Sequence, residues 1–297
     1  MKNLTNLRRD LFTTLEIYNP MQLGKTILFL ISICVVACTT QEPIYQPIVL
    51  KENFQNKGHQ LIYKTVEKVG NLELLRYGKK DVIAMYKLDK PEGKSDITLE
   101  KYIFEGELSY GKYYRHDYTM PELTGQIVQG NNGDETWMSL NHETFNSPSI
   151  INEVASTRSN NYYWFTVLQK LLDPDLFYHH LGTKTIDSNV YDVVEVMLDP
   201  EGIKSSNQYH VYINKKTGLV DQLVYDSETL GEEYRPRLIQ LEYESIDGVY
   251  LPNKRRYKKS NWDAEIDDSP WTYETWYEVS FNNELTKDDF TNPEYFF

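Results

Sequence analysis

One segment near the C-terminus constrains this chain more than any other. In Trp271–Phe281, the residues Trp271, Tyr273, Thr275, Tyr277, Val279 and Phe281 alternate with Thr272, Glu274, Trp276, Glu278 and Ser280. Helix faces recur every 3.6 residues or so, whereas a strand turns successive side chains to opposite sides. A period of two held over that length, with one apolar face, predicts an antiparallel sheet covered on one side. Two other stretches carry the same signal. In Tyr191–Leu198, Val194, Val196 and Leu198 share a face, with Asp192 at the solvent end, and Ile239, Leu241 and Tyr243 alternate with Gln240, Glu242 and Glu244. The 24 Tyr, 11 Phe and 5 Trp suit such a sheet, since aromatic rings pack well on a pleated surface.

Shorter β-type runs precede these, at Asp81–Leu88, Thr98–Glu105, Gly111–Tyr118, Gln126–Gln129 and Glu135–Met138. Turn signals separate them, among them Pro91-Glu92-Gly93 and Gly130-Asn131-Asn132-Gly133. Asn214-Lys215-Lys216-Thr217-Gly218 and Ile246-Asp247-Gly248-Val249 read as hairpin turns, their glycines supplying positive φ. Two helices are expected. One runs from about Glu52 to Val69, with Leu61, Ile62, Thr65, Val66 and Val69 at three- and four-residue spacing and Gly70-Asn71 as its stop. The other covers Tyr162–Leu172, capped by Asn160 and ended by Asp173-Pro174, with Trp164, Phe165, Leu168, Leu171 and Leu172 on its apolar face. No strand–helix–strand alternation appears, which argues against a parallel doubly wound fold. The reading is a mainly β (α+β) single domain over residues 52–297.

The N-terminal region carries a different signal. Thr26 to Ala37 is an uncharged, mostly apolar run behind Lys25, too short for the roughly 20 residues of a membrane-spanning helix and fitting the apolar core of a secretory signal. It leads into Val35-Val36-Ala37-Cys38, which resembles a bacterial lipobox. That resemblance implies cleavage before Cys38, a diacylglycerol on its sulfur, and a signal peptide over residues 1–37. Residues 1–20 fit this poorly, and a signal beginning at Met21 has more usual proportions. Residues 38–51, polar with Pro43 and Pro47, read as a tether. Of the two cysteines, Cys34 falls in the removed segment and Cys38 takes the lipid, which leaves no thiol for catalysis, a disulfide or a cysteine-based metal site.

The net charge of −13 becomes more negative once residues 1–37 are removed. Such a surface repels phosphate backbones, so nucleic acid is not an expected partner. It also offers no basic face to anionic lipid, leaving the acyl chains as the membrane contact.

Gln208 to Val220, leading into Leu223-Val224-Tyr225, is followed by Leu241-Glu242-Tyr243-Glu244-Ser245-Ile246-Asp247-Gly248-Val249-Tyr250-Leu251-Pro252. Together these are similar to the hairpins of the outer-membrane lipoprotein-sorting (LolA/LolB-like) superfamily, in which an Asp- or Asn-led Thr-Gly turn is followed by an Asp-Gly-Val/Ile-x-Leu-Pro strand end. The helix from Tyr163 to Pro174 resembles a segment of lipoprotein families of unknown function with the same architecture. The resemblance spans roughly Glu52 to Glu294. It implies a curved antiparallel sheet or incomplete β-barrel, covered on its concave side by a few helices, and a lipid or other hydrophobic ligand between them. It also places the chain in the envelope of a Gram-negative bacterium, at the outer membrane. The chain departs from the soluble carrier in bearing its own anchor, and from both carrier and receptor in length.

No nucleophile elbow, zinc-protease helix, phosphate loop, dinucleotide glycine pattern or EF-hand loop is present in the sequence. His179-His180 cannot chelate one ion from a strand unaided, because the two side chains point to opposite faces; these two, with His116 and His210, read as half-buried strand residues. Asp173, Asp175 and Asp187 read as cap and turn residues. The run Lys254-Arg255-Arg256-Tyr257-Lys258-Lys259 reads as a strand with solvated charges. Candidate ligand-binding residues are Trp164, Phe165 and Leu168 on the second helix and Trp271, Tyr273, Tyr277 and Phe281 on the last strand, each of which could equally be plain core. The expectation is a non-enzymatic envelope lipoprotein without metal or cofactor that binds an apolar ligand. The alternative is a filled-core lipoprotein that contacts another envelope protein, and a hydrolase with an unrecognised site is a third.

Overall fold

The computed structural model describes residues 53–145, 147–198, 208–226 and 236–293. The signal segment, Cys38 and the tether lie outside the described residues. Thirteen strands form one antiparallel sheet. In chain order they are β1 (Asp81–Asp89), β2 (Ser95–Ile103), β3 (Leu108–His116), β4 (Ile127–Asn131), β5 (Thr136–Leu140), β6 (Glu143–Phe145), β7 (Phe177–Ile186), β8 (Asn189–Met197), β9 (Gln208–Asn214), β10 (Val220–Asp226), β11 (Arg237–Ile246), β12 (Val249–Lys259) and β13 (Thr272–Phe281). The spatial order is β6-β5-β4-β3-β2-β1-β13-β12-β11-β10-β9-β8-β7. The sheet is therefore two meanders joined where the last strand inserts beside the first, with β6 and β7 as its two ends. The expected antiparallel class is what forms.

Helix α1 (Lys57–Val69) starts five residues later than the expected Glu52. Asn56 sets that start, its Oδ1 accepting the His59 backbone N–H at 3.2 Å. Gly70 ends the helix at φ 105°, a conformation that costs a glycine little. Ile62, Thr65, Val66 and Val69 are buried on one side, in a core with Leu168, Val194, Val211 and Leu223.

The second helix differs from its expected limits. Helix α2 runs Pro148–Phe165, fourteen residues ahead of the expected start, so Asn160 is interior and not a cap. Pro148 occupies the first turn, where its missing N–H costs nothing. The helix breaks at Thr166, whose Oγ1 donates back to the Tyr162 carbonyl at 3.0 Å, and resumes as the single turn α3 (Val167–Lys170). The broken end is capped from the sheet, with Arg255 Nη1 donating to the Trp164 carbonyl at 2.5 Å.

Both glycine hairpins form where expected. Asp247 and Gly248 sit at φ 48° and 80° between β11 and β12, the two positive values that a tight hairpin turn requires. Asn214 Oδ1 accepts the backbone N–H of Lys216 and Thr217. Asn131 and Asn132 fold the β4–β5 turn in the same way, Asn132 Oδ1 accepting from Asp134 and Glu135 at 3.0 Å.

Only part of the far face of the sheet is solvated. Tyr191, Val193, Tyr212, Val224 and Leu238 form a second buried cluster there, with Trp262 and Trp271 packed over it. Strands β8 to β10 are therefore apolar on both sides, and the expected alternation is lost in them.

Candidate functional site

Between the helix-bearing face of the sheet and α2 lies a cavity of about 780 Å³, within the range of about 300–1,000 Å³ typical of small-molecule sites. Its sheet wall is tyrosine-rich, with Tyr86, Tyr102, Tyr209, Tyr225 and Tyr257 among the contributors, and Trp276 lies beside Tyr86 at 4.8 Å between centroids. Its helix wall includes Ser156, Ser159, Asn160, Tyr163 and Trp164. Tyr163 and Tyr209 join the two walls through a hydroxyl–hydroxyl bond of 2.7 Å.

Charged groups sit in the lining as well, and they are compensated. Asp96 accepts the backbone N–H groups of Tyr118 and Thr119 at 2.8 and 3.0 Å. Lys90 lies 3.8 Å over the Tyr118 ring, Lys170 pairs with Glu107 at 2.5 Å, and Arg237 hydrogen-bonds Tyr225. Burial raises the Glu274 carboxyl above the ordinary carboxylate range, although Arg255, directly across on β12, pulls the other way. Behind the cavity Arg158 and Glu100 form an ion pair at 2.8 Å, both side chains fully buried. Tyr113 accepts from Arg158, and Asn161 and Tyr102 donate to Glu100.

The candidate residues separate. Trp164 lines the cavity. Phe165 is buried in the core beneath, with Tyr102 and Trp276, and Leu168 belongs to the core under α1. Trp271, Tyr273 and Tyr277 lie on the face away from the cavity, and Tyr273 is 48% exposed. Phe281 returns to the helix-bearing core. A bulge causes this split. Tyr277 pairs with Met85 and Ser280 with Ile83, so Glu278 and Val279 stand opposite Ala84 alone, and Glu278 takes φ 52°. The extra residue reverses the alternation, as a one-residue slip must. Residues Thr272, Glu274 and Trp276 therefore face inward, the set that unbroken alternation assigned to solvent.

Two other expectations need correction. Asp192 is buried, with its Oδ1 2.9 Å from His180 Nε2 beneath the start of α1. Arg255, read as solvated, is 3% exposed and stacks 4.4 Å from the Trp276 ring. Asp187 does take a turn role, at φ 46° between β7 and β8, and His179 and His180 reach separate carboxylates, Glu195 and Asp192. Among the described residues no group of three or more His, Cys, Asp and Glu side chains is arranged to hold a metal ion. No helix among them is long and apolar enough to cross a membrane.

No protein-family model and no curated protein matches the chain. Solved structures do. A DUF1329 family protein from Desulfovibrio piger is similar at 12% identity and TM-score 0.46, over 80% of this chain and 98% of its own. A LolA superfamily protein from Nitrosomonas europaea is similar at 13% and 0.44, over 80% and 98%. An outer membrane lipoprotein-sorting protein domain from Vibrio parahaemolyticus gives 13% and 0.44, over 77% and 97%.

Proposed function

We propose that this chain is a non-enzymatic lipoprotein of the cell envelope, anchored through Cys38, that binds a small hydrophobic or amphiphilic ligand between its sheet and α2. The observation that carries the reading is the cavity of about 780 Å³, a volume that a filled-core interaction protein would have no reason to keep open. Contact of an apolar ligand with the Tyr and Trp rings would contribute about 25 cal/mol for each Å² removed from water. The lipid anchor would hold the site near the bilayer from which such a ligand comes. Native mass spectrometry of the protein extracted from its own membrane tests the proposal. A discrete adduct beyond the mass of chain and anchor is expected. Ligand-free protein that also fails to take up any amphiphile added in solution would overturn it in favour of contact with an envelope protein.

A further inference from the structure

The cavity wall made by α2 is polar where a carrier of plain acyl chains needs an apolar stripe. Ser156, Ser159, Asn160 and Tyr163 stand at i, i+3, i+4 and i+7 on one helix face, and all four line the cavity. The serine and asparagine side chains make no hydrogen bond among the described residues and are exposed. An alkyl chain laid on them would take an amide and two hydroxyls out of water without replacing their partners, which disfavours it.

Across the cavity the sheet contributes the aromatic side chains Tyr86, Tyr225 and Tyr257, with the Glu274 carboxyl hydrogen-bonded to Tyr86. An anionic headgroup would meet the Asp96, Asp173 and Glu274 carboxyls in the same lining, and of its cations Lys170 is already paired with Glu107. The walls thus combine aromatic side chains on one side with hydroxyl and amide groups on the other. A sugar ring matches both, because its C–H face packs on an aromatic ring while its rim of hydroxyls both donates and accepts.

Resting on the reading of the cavity as a binding site, we propose that its ligand carries an uncharged, polyhydroxylated ring, held between the tyrosine wall of the sheet and the polar stripe of α2. Such a ring could reach the protein as the head of a glycolipid or as a free saccharide. The full chain carrying Cys38→Ala, which removes the expected anchor, is titrated calorimetrically with octyl glucoside below its micelle concentration, with glucose and with octanoate. Octyl glucoside is expected to bind at least tenfold more tightly than octanoate. Glucose equal to octyl glucoside would support the ring and assign a free saccharide, whereas glucose much weaker would support the ring and assign a glycolipid. Octanoate binding as well as octyl glucoside would overturn this inference and leave the binding-site reading standing. No binding by any of the three would overturn both.

The double variant Ser156→Leu/Asn160→Leu should lose at least tenfold in glucoside affinity and gain for octanoate, with its thermal melt unchanged. Unaltered selectivity in that folded variant would remove the stripe from the site and the inference with it. Should the double variant fail to fold, the milder Ser156→Ala/Asn160→Ala provides the second measurement. It removes a hydroxyl and an amide without adding bulk, so glucoside affinity should fall at least threefold while octanoate affinity does not fall, and an equal change for both ligands would overturn the proposal.

Discussion

At the scale of single residues, buried charges dominate the helix-bearing side. Burial by itself disfavours the Arg158 cation, but the Glu100 carboxylate more than offsets it, so the guanidinium is held even more firmly protonated than usual. Space for it comes from a glycine, since a Cβ at Gly111 would lie 2.2 Å from Arg158 Nη1. Gly111→Ala should therefore destabilise the fold by about 1–3 kcal/mol through overpacking. Arg158→Met should cost about 3–5 kcal/mol, because it strands Glu100 without a counter-charge. Urea unfolding of both variants checks the order, and an Arg158→Met loss below that of Gly111→Ala would show that the pair is not held as a pair. Glu274 gives a pH test. Its carboxyl is raised in the fold, so the native state keeps a proton that the unfolded chain has released, and stability falls as pH rises from about 4.3 through the folded value. Gln at this position does not titrate. The melting temperature of Glu274→Gln minus that of the parent should thus increase between pH 4 and pH 8, and a flat or falling difference would contradict the raised carboxyl.

At the scale of elements, the bulge in β13 decides which residues the cavity sees. Its cost sits at Glu278, held at φ 52°, a conformation worth roughly 1–2 kcal/mol of strain for a residue with a Cβ and more for a branched one. Glu278→Gly should be neutral or stabilising, and Glu278→Ile should lower the melting temperature by several degrees. Equal melting temperatures for the two would mean that the strand runs unbroken and Trp276 faces outward. The break between α2 and α3 is a second such device. Thr166 turns the chain, Arg255 satisfies the freed carbonyl, and Gln169 Nε2 donates to the Gly70 carbonyl at 2.6 Å, fastening α3 to the end of α1. Helix α2 is thereby fixed at one end across the sheet, with its polar stripe over the cavity.

At the scale of the molecule, the sheet and the anchor answer separate questions. The insertion of β13 beside β1 puts Trp276 and Glu274 next to Tyr86 and Leu88 from the opposite end of the sequence, and the floor of the cavity exists only because of that closure. The proposed anchor, Cys38, lies outside the described residues. Cys38→Ala should release the protein from membranes washed at high salt, since the acyl chains contribute about 0.8 kcal/mol for each buried methylene and a net charge of −13 offers no substitute attraction to anionic lipid. Retention of the variant on the membrane would overturn the anchor.

The sequence by itself determined the antiparallel class, the placement of most strands, the hairpin turns at Asp247-Gly248 and Asn214–Gly218, and the α1 stop at Gly70. Each is local, set by side-chain period, a cap or a required positive φ, and so is written within a few residues. Of the candidate ligand-binding residues, only Trp164 was placed at the cavity by local reasoning. Unbroken alternation assigned Trp271, Tyr273 and Tyr277 to the inside, and only pairing with β1 inserts the extra residue at Glu278 that turns Glu274 and Trp276 inward. Composition made Arg255 look solvated, and only tertiary structure supplies the helix carbonyl and indole ring that let it be buried. The early part of α2 is not legible locally because its buried face, with Ile150, Val154, Arg158 and Tyr162, is interrupted by a charge whose partner Glu100 comes from a distant strand. Period and turn chemistry act between neighbours in the chain, whereas a bulge, a buried charge and an open cavity each depend on partners that folding brings from far away.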